Sequence, residues 1–210
     1  MPIRVVLADD HALVRQGIKS LLEREGFQVV AEASDGQEAV RCAQKLSPDV
    51  VIMDIGMPTL NGMDAARELG RCCPKTKPIL LTQHDEDQYV SEALNAGVKG
   101  YVLKSQVASD LLQAIQRVLH GLVYLSPGIS GAVIAAFQSQ GQRPADPLTA
   151  RERQVLQLIA EGKSTKDVAA LLGVSVKTAE SHRSRLMQKL DIHETASLVR
   201  YAVKRGLIQV

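Results

Sequence analysis

Asp54 closes the apolar run Val50-Val51-Ile52-Met53 and is followed by the turn-forming stretch Ile55-Gly56-Met57-Pro58-Thr59-Leu60-Asn61-Gly62. A run without polar alternation reads as a strand covered on both faces, and in such sheets ligands gather at the carboxyl ends of the strands. Taken singly, Asp54 reads equally well as the residue that opens the turn. Other strand-like runs shift the balance. Ile3-Arg4-Val5-Val6-Leu7-Ala8 ends in Asp9-Asp10, Pro78-Ile79-Leu80-Leu81 ends in Thr82, and Tyr101-Val102-Leu103 ends in Lys104. If those strands are parallel neighbours, three carboxylates, a hydroxyl and an ammonium meet at one edge. Carboxylates this close repel unless a cation joins them. Mg2+, which takes about six oxygens from carboxylates, waters and a phosphate, suits the set, and phosphoryl chemistry is the expectation.

The elements that must carry these residues alternate along the chain. Apolar residues at helical spacing follow the first strand over His11 to Arg24, with Gly26 as a stop, and His11 itself is read as structural rather than catalytic. Phe27 to Ala33 reads as a strand, Gln37 to Leu46 as a helix, then Met63 to Cys72, Glu86 to Ala96 and Val107 to His120 as helices between the remaining strands. This pattern predicts an α/β doubly wound parallel sheet of five strands over residues 1–121. Residues 122–147 read as a linker. Leu122 to Leu125 is a candidate extended piece, Gly128 to Gln138 a candidate helix, and Ser139 to Pro147 a polar stretch without period.

Residues 148–210 read as a small all-α domain. Thr149-Ala150-Arg151-Glu152 is a capping-box pattern, Ser164-Thr165-Lys166-Asp167 a second, and Gly173-Val174 joins the second helix to a third capped by Ser175. That is the helix-turn-helix layout. On the third helix Val176, Ala179, Leu186 and Leu190 are expected to face inward. Lys177, Glu180, Ser181, Ser184 and Gln188 are expected to face a major groove, with Arg183, Arg185 and Lys189 available for phosphates. The alternative is a solvated face on a helical bundle. Leu198, Val199, Ala202 and Val203 on the last helix are a candidate pairing face or ordinary core.

Charge divides the same way. The chain of 210 residues carries 25 Lys and Arg against 23 Asp and Glu, but residues 148–210 hold 11 against 6 and the remainder 14 against 17. The basic end is where an anionic partner is expected. Apolar runs fall short of the ~18 residues of a membrane span, and no signal-peptide pattern opens the chain, so a cytoplasmic protein without membrane contact is expected. Cys42, Cys72 and Cys73 lack metal-ligand spacing and read as reduced structural thiols.

Asp9-Asp10, Asp54, Met57-Pro58, Gly62, Thr82, Tyr101 and Lys104 together resemble the receiver domain of bacterial response regulators. Leu148 to Glu152, Val176-Lys177-Thr178, His182 and Lys189-Leu190 resemble the LuxR-type helix-turn-helix domain, and the pairing is that of the NarL/FixJ group. The resemblance implies strand order 2-1-3-4-5. It implies that Asp54 accepts a phosphoryl group from a sensor histidine kinase, with Mg2+ held by Asp9, Asp10, Asp54 and the Gly56 carbonyl. Lys104 would pair with the phosphoryl group, Thr82 would move toward it, and Tyr101 would then turn inward. Lys177, Thr178, Glu180, Ser181, Arg183, Ser184, Arg185 and Lys189 would contact double-stranded promoter DNA as a homodimer, with RNA polymerase a further partner. The expected product is a transcription regulator and not an enzyme, beyond self-phosphorylation and self-dephosphorylation.

Two departures stand out. Glu180 occupies a place where many relatives carry Lys, and Ser105 follows Lys104 where many receivers carry Pro, which leaves open whether that peptide is cis. Two other readings use the same residues: a metal-dependent phosphatase or phosphotransferase with Asp54 as nucleophile, and a DNA-binding protein whose receiver is only a dimerisation scaffold.

Overall fold

The computed structural model describes residues 2–85, 87–129 and 146–208. They form two compact units, one N-terminal and one C-terminal.

The N-terminal unit is a parallel sheet in the order β2-β1-β3-β4-β5-β6. Its strands are β1 (Arg4–Ala8), β2 (Gln28–Ala33), β3 (Val50–Asp54), β4 (Lys77–Thr82), β5 (Gly100–Leu103) and β6 (Tyr124–Leu125). Helices α1 (Ala12–Arg24), α2 (Gly36–Leu46), α3 (Gly62–Cys72), α4 (Asp87–Asn95) and α5 (Val107–Leu119) connect them. Asp35 caps α2 by accepting from the Glu38 N–H at 2.7 Å, and Asn61 caps α3 through the Asp64 N–H at 2.9 Å. Every residue of β3 is buried, as its unbroken apolar run demands. Val5, Leu7, Val50, Ile52, Ile79 and Leu81 pack with Leu111, Ile115 and Val118 of α5 in one core. Each such side chain contributes about 1.5–3 kcal/mol on burial, which holds the strand ends in fixed relation.

Register decides what those ends bring together. Ala8 lies opposite Met53, Asp54 opposite Leu81, and Thr82 opposite Leu103. Asp9, Asp54, Thr82 and Lys104 therefore share the carboxyl edge of the sheet. Behind them, Gly62 crosses so close to β3 that a Cβ there would strike the Asp54 carbonyl oxygen, and the Leu80 side chain would stand 3.0 Å away.

The expected order 2-1-3-4-5 is present, but the sheet carries a sixth strand where five were expected. Gly121, at φ +80, turns the chain after α5, and residues 124–126 then fill the open side of β5. The Tyr124 N–H donates to the Lys99 carbonyl at 2.9 Å and the Ser126 N–H to the Tyr101 carbonyl at 3.0 Å. Covering a bare strand edge satisfies its peptide groups, which accounts for a strand of only two residues. Pro127–Ile129 makes a short 3-10 turn. The remainder of the expected 128–138 helix and the polar stretch through 145 lie outside the described residues.

In the C-terminal unit, α6 (Ala150–Ala160), α7 (Thr165–Leu172), α8 (Val176–Leu190) and α9 (Thr195–Lys204) surround a core that includes Val155, Leu156, Leu158, Val168, Ala179, Leu186, Leu198 and Ala202. Both expected capping boxes are formed, by Thr149 with Glu152 and by Ser164 with Asp167. Gly173 ends α7 at φ +63 and Ser175 caps α8, so the turn between the two helices follows from the residue types alone. One expectation needs correction, and one open alternative is decided. Val176 is 40% exposed, because the first residue of α8 projects beyond the core that Ala179 and Leu186 enter. Leu198 and Ala202 are buried in that core, so the candidate pairing face on the last helix is internal there, and only Val199 and Val203 remain half-exposed.

Candidate functional site

Asp9 and Asp54 are buried at the ends of β1 and β3, and Lys104 reaches over both from the end of β5. Its Nζ lies 3.1 Å from Asp9 Oδ2 and 3.0 Å from Asp54 Oδ1. The second contact is an ion pair off the hydrogen-bond axis, so the buried Asp54 Oδ1 accepts no hydrogen bond. Burial pushes the Asp54 carboxyl above its ordinary 3.8; Lys104 draws it back, and Asp9 and Asp10 add to the rise. Burial pulls Lys104 down, but Asp54 and Asp9 outweigh it and the ammonium stands above its ordinary 10.5. The pocket therefore holds a permanent cation beside a carboxylate that burial disfavours.

Asp10 lies on the solvent side of this pair. Its Oδ1 is 2.8 Å from His11 Nδ1, and donor atoms of Asp9, Asp10, His11 and Asp54 all lie within 4.8 Å of one another. His11, read from sequence as structural, does occupy the N-cap of α1, and its N–H donates to Asp9 Oδ1 at 2.8 Å. Its ring also enters the acidic group, and the only sequence signal for that is its adjacency to Asp9-Asp10. Gly56 lies in the bend directly after β3. Carboxylate oxygens, one of them buried without a hydrogen bond, are the donor set of a hard divalent cation, so the residues present fit Mg2+.

Thr82 and Tyr101 sit beside the pocket. The Thr82 hydroxyl accepts from the His84 N–H at 2.9 Å, and the buried Tyr101 hydroxyl donates to the His84 carbonyl at 3.0 Å. Tyr101 is thus already inward, where the resemblance implied that it would turn in only after Thr82 moved. The His84 ring stacks on Tyr89 of α4 with centroids 4.3 Å apart. No cis peptide occurs among the described residues, so the peptide between Lys104 and Ser105 is trans.

On the second unit, α8 exposes Lys177, Thr178, Glu180, Ser184 and Arg185, with Ser181 and Arg183 half-exposed. The Thr178 hydroxyl shares a hydrogen bond of 2.8 Å with Ser175, and Arg183 Nη2 donates to Thr195 Oγ1 at 2.9 Å. Lys189 is different. Its ammonium is 2.7 Å from Oε2 of the capping-box Glu152, 37 residues away, so it ties α8 to the start of α6. Arg151 likewise donates to the Leu172 carbonyl at 2.7 Å, closing the end of α7. The Arg183 and Lys189 contacts fix α8 on its neighbours and leave its Lys177-to-Arg185 face outward.

The response regulator receiver domain model matches residues 5–116, and the model for bacterial regulatory proteins of the luxR family matches residues 146–202. The transcriptional regulatory protein MctR of Rhizobium johnstonii is 38% identical over 207 residues, covering 98% of this chain and 95% of that protein. The oxygen regulatory protein NreC of Staphylococcus haemolyticus is 38% identical over 215 residues, covering 98% and 99%. RcsB of Salmonella enterica serovar Typhimurium, solved bound to promoter DNA with the phosphomimetic BeF3−, superposes with a TM-score of 0.63 at 28% identity, covering 97% and 100%. With the acidic pocket on one unit and the helix-turn-helix on the other, the chain belongs to the response regulators of the NarL/FixJ group, a receiver domain followed by a LuxR-type DNA-binding domain.

Proposed function

We propose that phosphorylation of Asp54 by a partner sensor histidine kinase controls sequence-specific binding of double-stranded promoter DNA by the C-terminal unit. The observation that carries this reading is the meeting of the buried Asp9 and Asp54 carboxylates under the Lys104 ammonium, 3.1 and 3.0 Å away, at the carboxyl edge of the sheet. An Asp54 oxygen attacks phosphorus, the P–N bond of the kinase phosphohistidine breaks, and the departing imidazole keeps the electron pair. Asp54 is left as an acyl phosphate. Lys104, already on Asp54, pairs with the transferred oxygens as a point charge. Thr82 gives up its acceptor role toward the His84 N–H and donates to the phosphoryl group instead. Asp9, Asp10, Asp54 and the Gly56 carbonyl would hold Mg2+, which supplies positive charge against the transferred oxygens.

Lys177, Thr178, Glu180, Ser181 and Ser184 are the proposed base-facing residues, and Arg183, Arg185 and Lys189 the phosphate contacts. The RcsB complex supports DNA as the partner. A homodimer on DNA, contact with RNA polymerase and a cytoplasmic location complete the reading, with self-phosphorylation and self-dephosphorylation as the chain's own chemistry. No helix among the described residues is long and apolar enough to cross a membrane. The test is affinity for duplexes selected from a random-sequence pool, measured with and without acetyl phosphate plus Mg2+, on the natural chain and Asp54→Ala. Binding that responds only in the natural chain is expected, and equal responses in both would remove the phosphoswitch.

A further inference from the structure

Outside the phosphate pocket, one buried polar group stands apart from the helix caps. Asp110, in the first turn of α5, is 7% exposed, and Ser126, directly after β6, is fully buried. The Ser126 hydroxyl donates to Asp110 Oδ2 at 2.6 Å and accepts from the Leu103 N–H at 3.2 Å. Ser109 donates to Asp110 Oδ1 at 2.9 Å. The Ser126 backbone adds two more links: its N–H donates to the Tyr101 carbonyl at 3.0 Å and its carbonyl accepts from the Ile129 N–H at 2.9 Å. Burial and then the Asp110 carboxylate push the Tyr124 phenol above its ordinary value.

A carboxylate near a helix N-terminus is ordinary, and α5 alone accounts for Asp110. It does not account for Ser126. A buried hydroxyl there is costly unless both its donor and acceptor capacities are met, and they are met by α5 on one side and β5 on the other. The backbone groups that Ser126 holds are those of Tyr101 and Leu103. Tyr101 donates to the His84 carbonyl beside Thr82, and Leu103 immediately precedes Lys104, which spans Asp9 and Asp54. Ser126 is also on the segment by which the chain leaves the receiver toward the C-terminal unit.

We propose that Asp110 and Ser126 are positioning residues forming a latch that fixes the end of β5 and couples the state of the phosphate pocket to the segment that leads to the DNA-binding unit. This rests on the phosphoswitch reading above and names its route out of the receiver. When Lys104 follows the transferred phosphoryl group, the backbone of β5 shifts against a hydroxyl that has no slack on either side. The displacement passes into residues 126–129. Removing the hydroxyl leaves the pocket its side chains and β5 its backbone bonds to Tyr124 and Ser126, and cuts the one side-chain link that joins α5 to the Leu103 N–H.

The test uses the full chain and hydrogen exchange, with acetyl phosphate and Mg2+ as the phosphodonor, on the natural protein, Asp54→Ala and Ser126→Ala. Intact mass reports the phosphoryl gain separately. In the natural chain, phosphorylation should change exchange at the Leu103 and Ser126 amides and across the C-terminal unit, and Asp54→Ala should show neither. Ser126→Ala should still gain one phosphoryl group while the response of the C-terminal unit shrinks by a factor of about 2 to 30, the span expected for loss of one coupling contact. A Ser126→Ala chain that takes the phosphoryl group and keeps the full C-terminal response overturns the latch. So does a natural chain whose C-terminal unit responds while the Leu103 and Ser126 amides do not, a measurement that needs no variant to fold. Phosphorylation without any C-terminal response in the natural chain removes the phosphoswitch and the latch with it, and the mass reading tells this apart from failure of Asp54 to accept phosphate.

Discussion

Lys104→Met is expected to destabilise the receiver in a way that acid or Mg2+ repairs. The ammonium lies 3.0 and 3.1 Å from the buried Asp54 and Asp9. At an effective dielectric of about 20, each contact is worth roughly 5 kcal/mol before the cost of taking the charges out of water. After that cost, removing one partner of a buried pair leaves a penalty of about 3–5 kcal/mol. Lys104 keeps 17% of its side chain in solvent, and Asp54 can escape by taking a proton, so about 2–3 kcal/mol near neutral pH is expected. With a urea slope of about 1–3 kcal/mol per M, the midpoint should fall by about 1 M. Tyrosine fluorescence can follow it, since three of the four Tyr, at 89, 101 and 124, lie in the receiver and the chain has no Trp. The sign follows from Asp54. Its folded-state pKa is already raised, so stability is fully present below the ordinary 3.8 and is lost as pH rises through the folded value. Without Lys104 that value climbs further, so the gap between variant and natural chain should close as the pH falls toward 3.8 and widen toward neutrality. Saturating Mg2+ should close it as well, by restoring a cation. An equal loss at about pH 5 and pH 7, with and without Mg2+, would mean that the methylene stem and not the charge was at issue, and would refute the reasoning.

Gly62→Ala should cost the upper part of about 1–3 kcal/mol because its Cβ meets the Asp54 carbonyl, whereas Gly17→Ala on α1, with open space around it, should be neutral or stabilising; thermal midpoints of the two decide. Thr149→Ala should remove about 1 kcal/mol from the C-terminal unit by opening its first capping box. Burial pushes Glu152 up, but Lys189 and Thr149 outweigh it and hold the carboxyl below its ordinary 4.5, so its contribution is present above that value and lost as pH falls through the folded pKa. Glu152→Gln should accordingly flatten the acid limb of the unit's stability curve in denaturation at graded pH. Glu180 stands exposed on α8, where a carboxylate can accept from a cytosine amino group. Glu180→Lys should alter the preference for one base pair in selection from random duplexes, and identical profiles would reject a discriminating role.

The strand-end chemistry was legible because β1, β3, β4 and β5 each announce their ends by an apolar run stopped by a polar residue, and parallel pairing does the rest. Caps were legible for a similar reason, since Thr149, Ser164 and Ser175 bond within three residues of themselves. What escaped was non-local or too short to show a period. The Lys189–Glu152 pair joins residues 37 apart, so no local pattern announces it. Strand β6 falls inside the candidate extended piece Leu122 to Leu125, but its two residues carry no signal of the β5 edge they cover. Val176 looked inward because its spacing fits the apolar stripe of α8, but the core does not extend to the first turn of that helix. Leu198 and Ala202, open from sequence between a pairing face and ordinary core, take the core because α6 lies against α9, a contact that the sequence of neither helix shows.

The short strand after α5 also bears on where this chain can be cut. A fragment stopped at residue 121, the natural place to trim from periodicity alone, would strip the cover from β5 and leave the Lys99 and Tyr101 carbonyls and the Leu103 N–H without their partners. Exposed strand margins invite pairing with other chains. Self-association of such a truncate would then report the trimming and not the biology, whereas ending the fragment at Ile129 keeps the margin sealed.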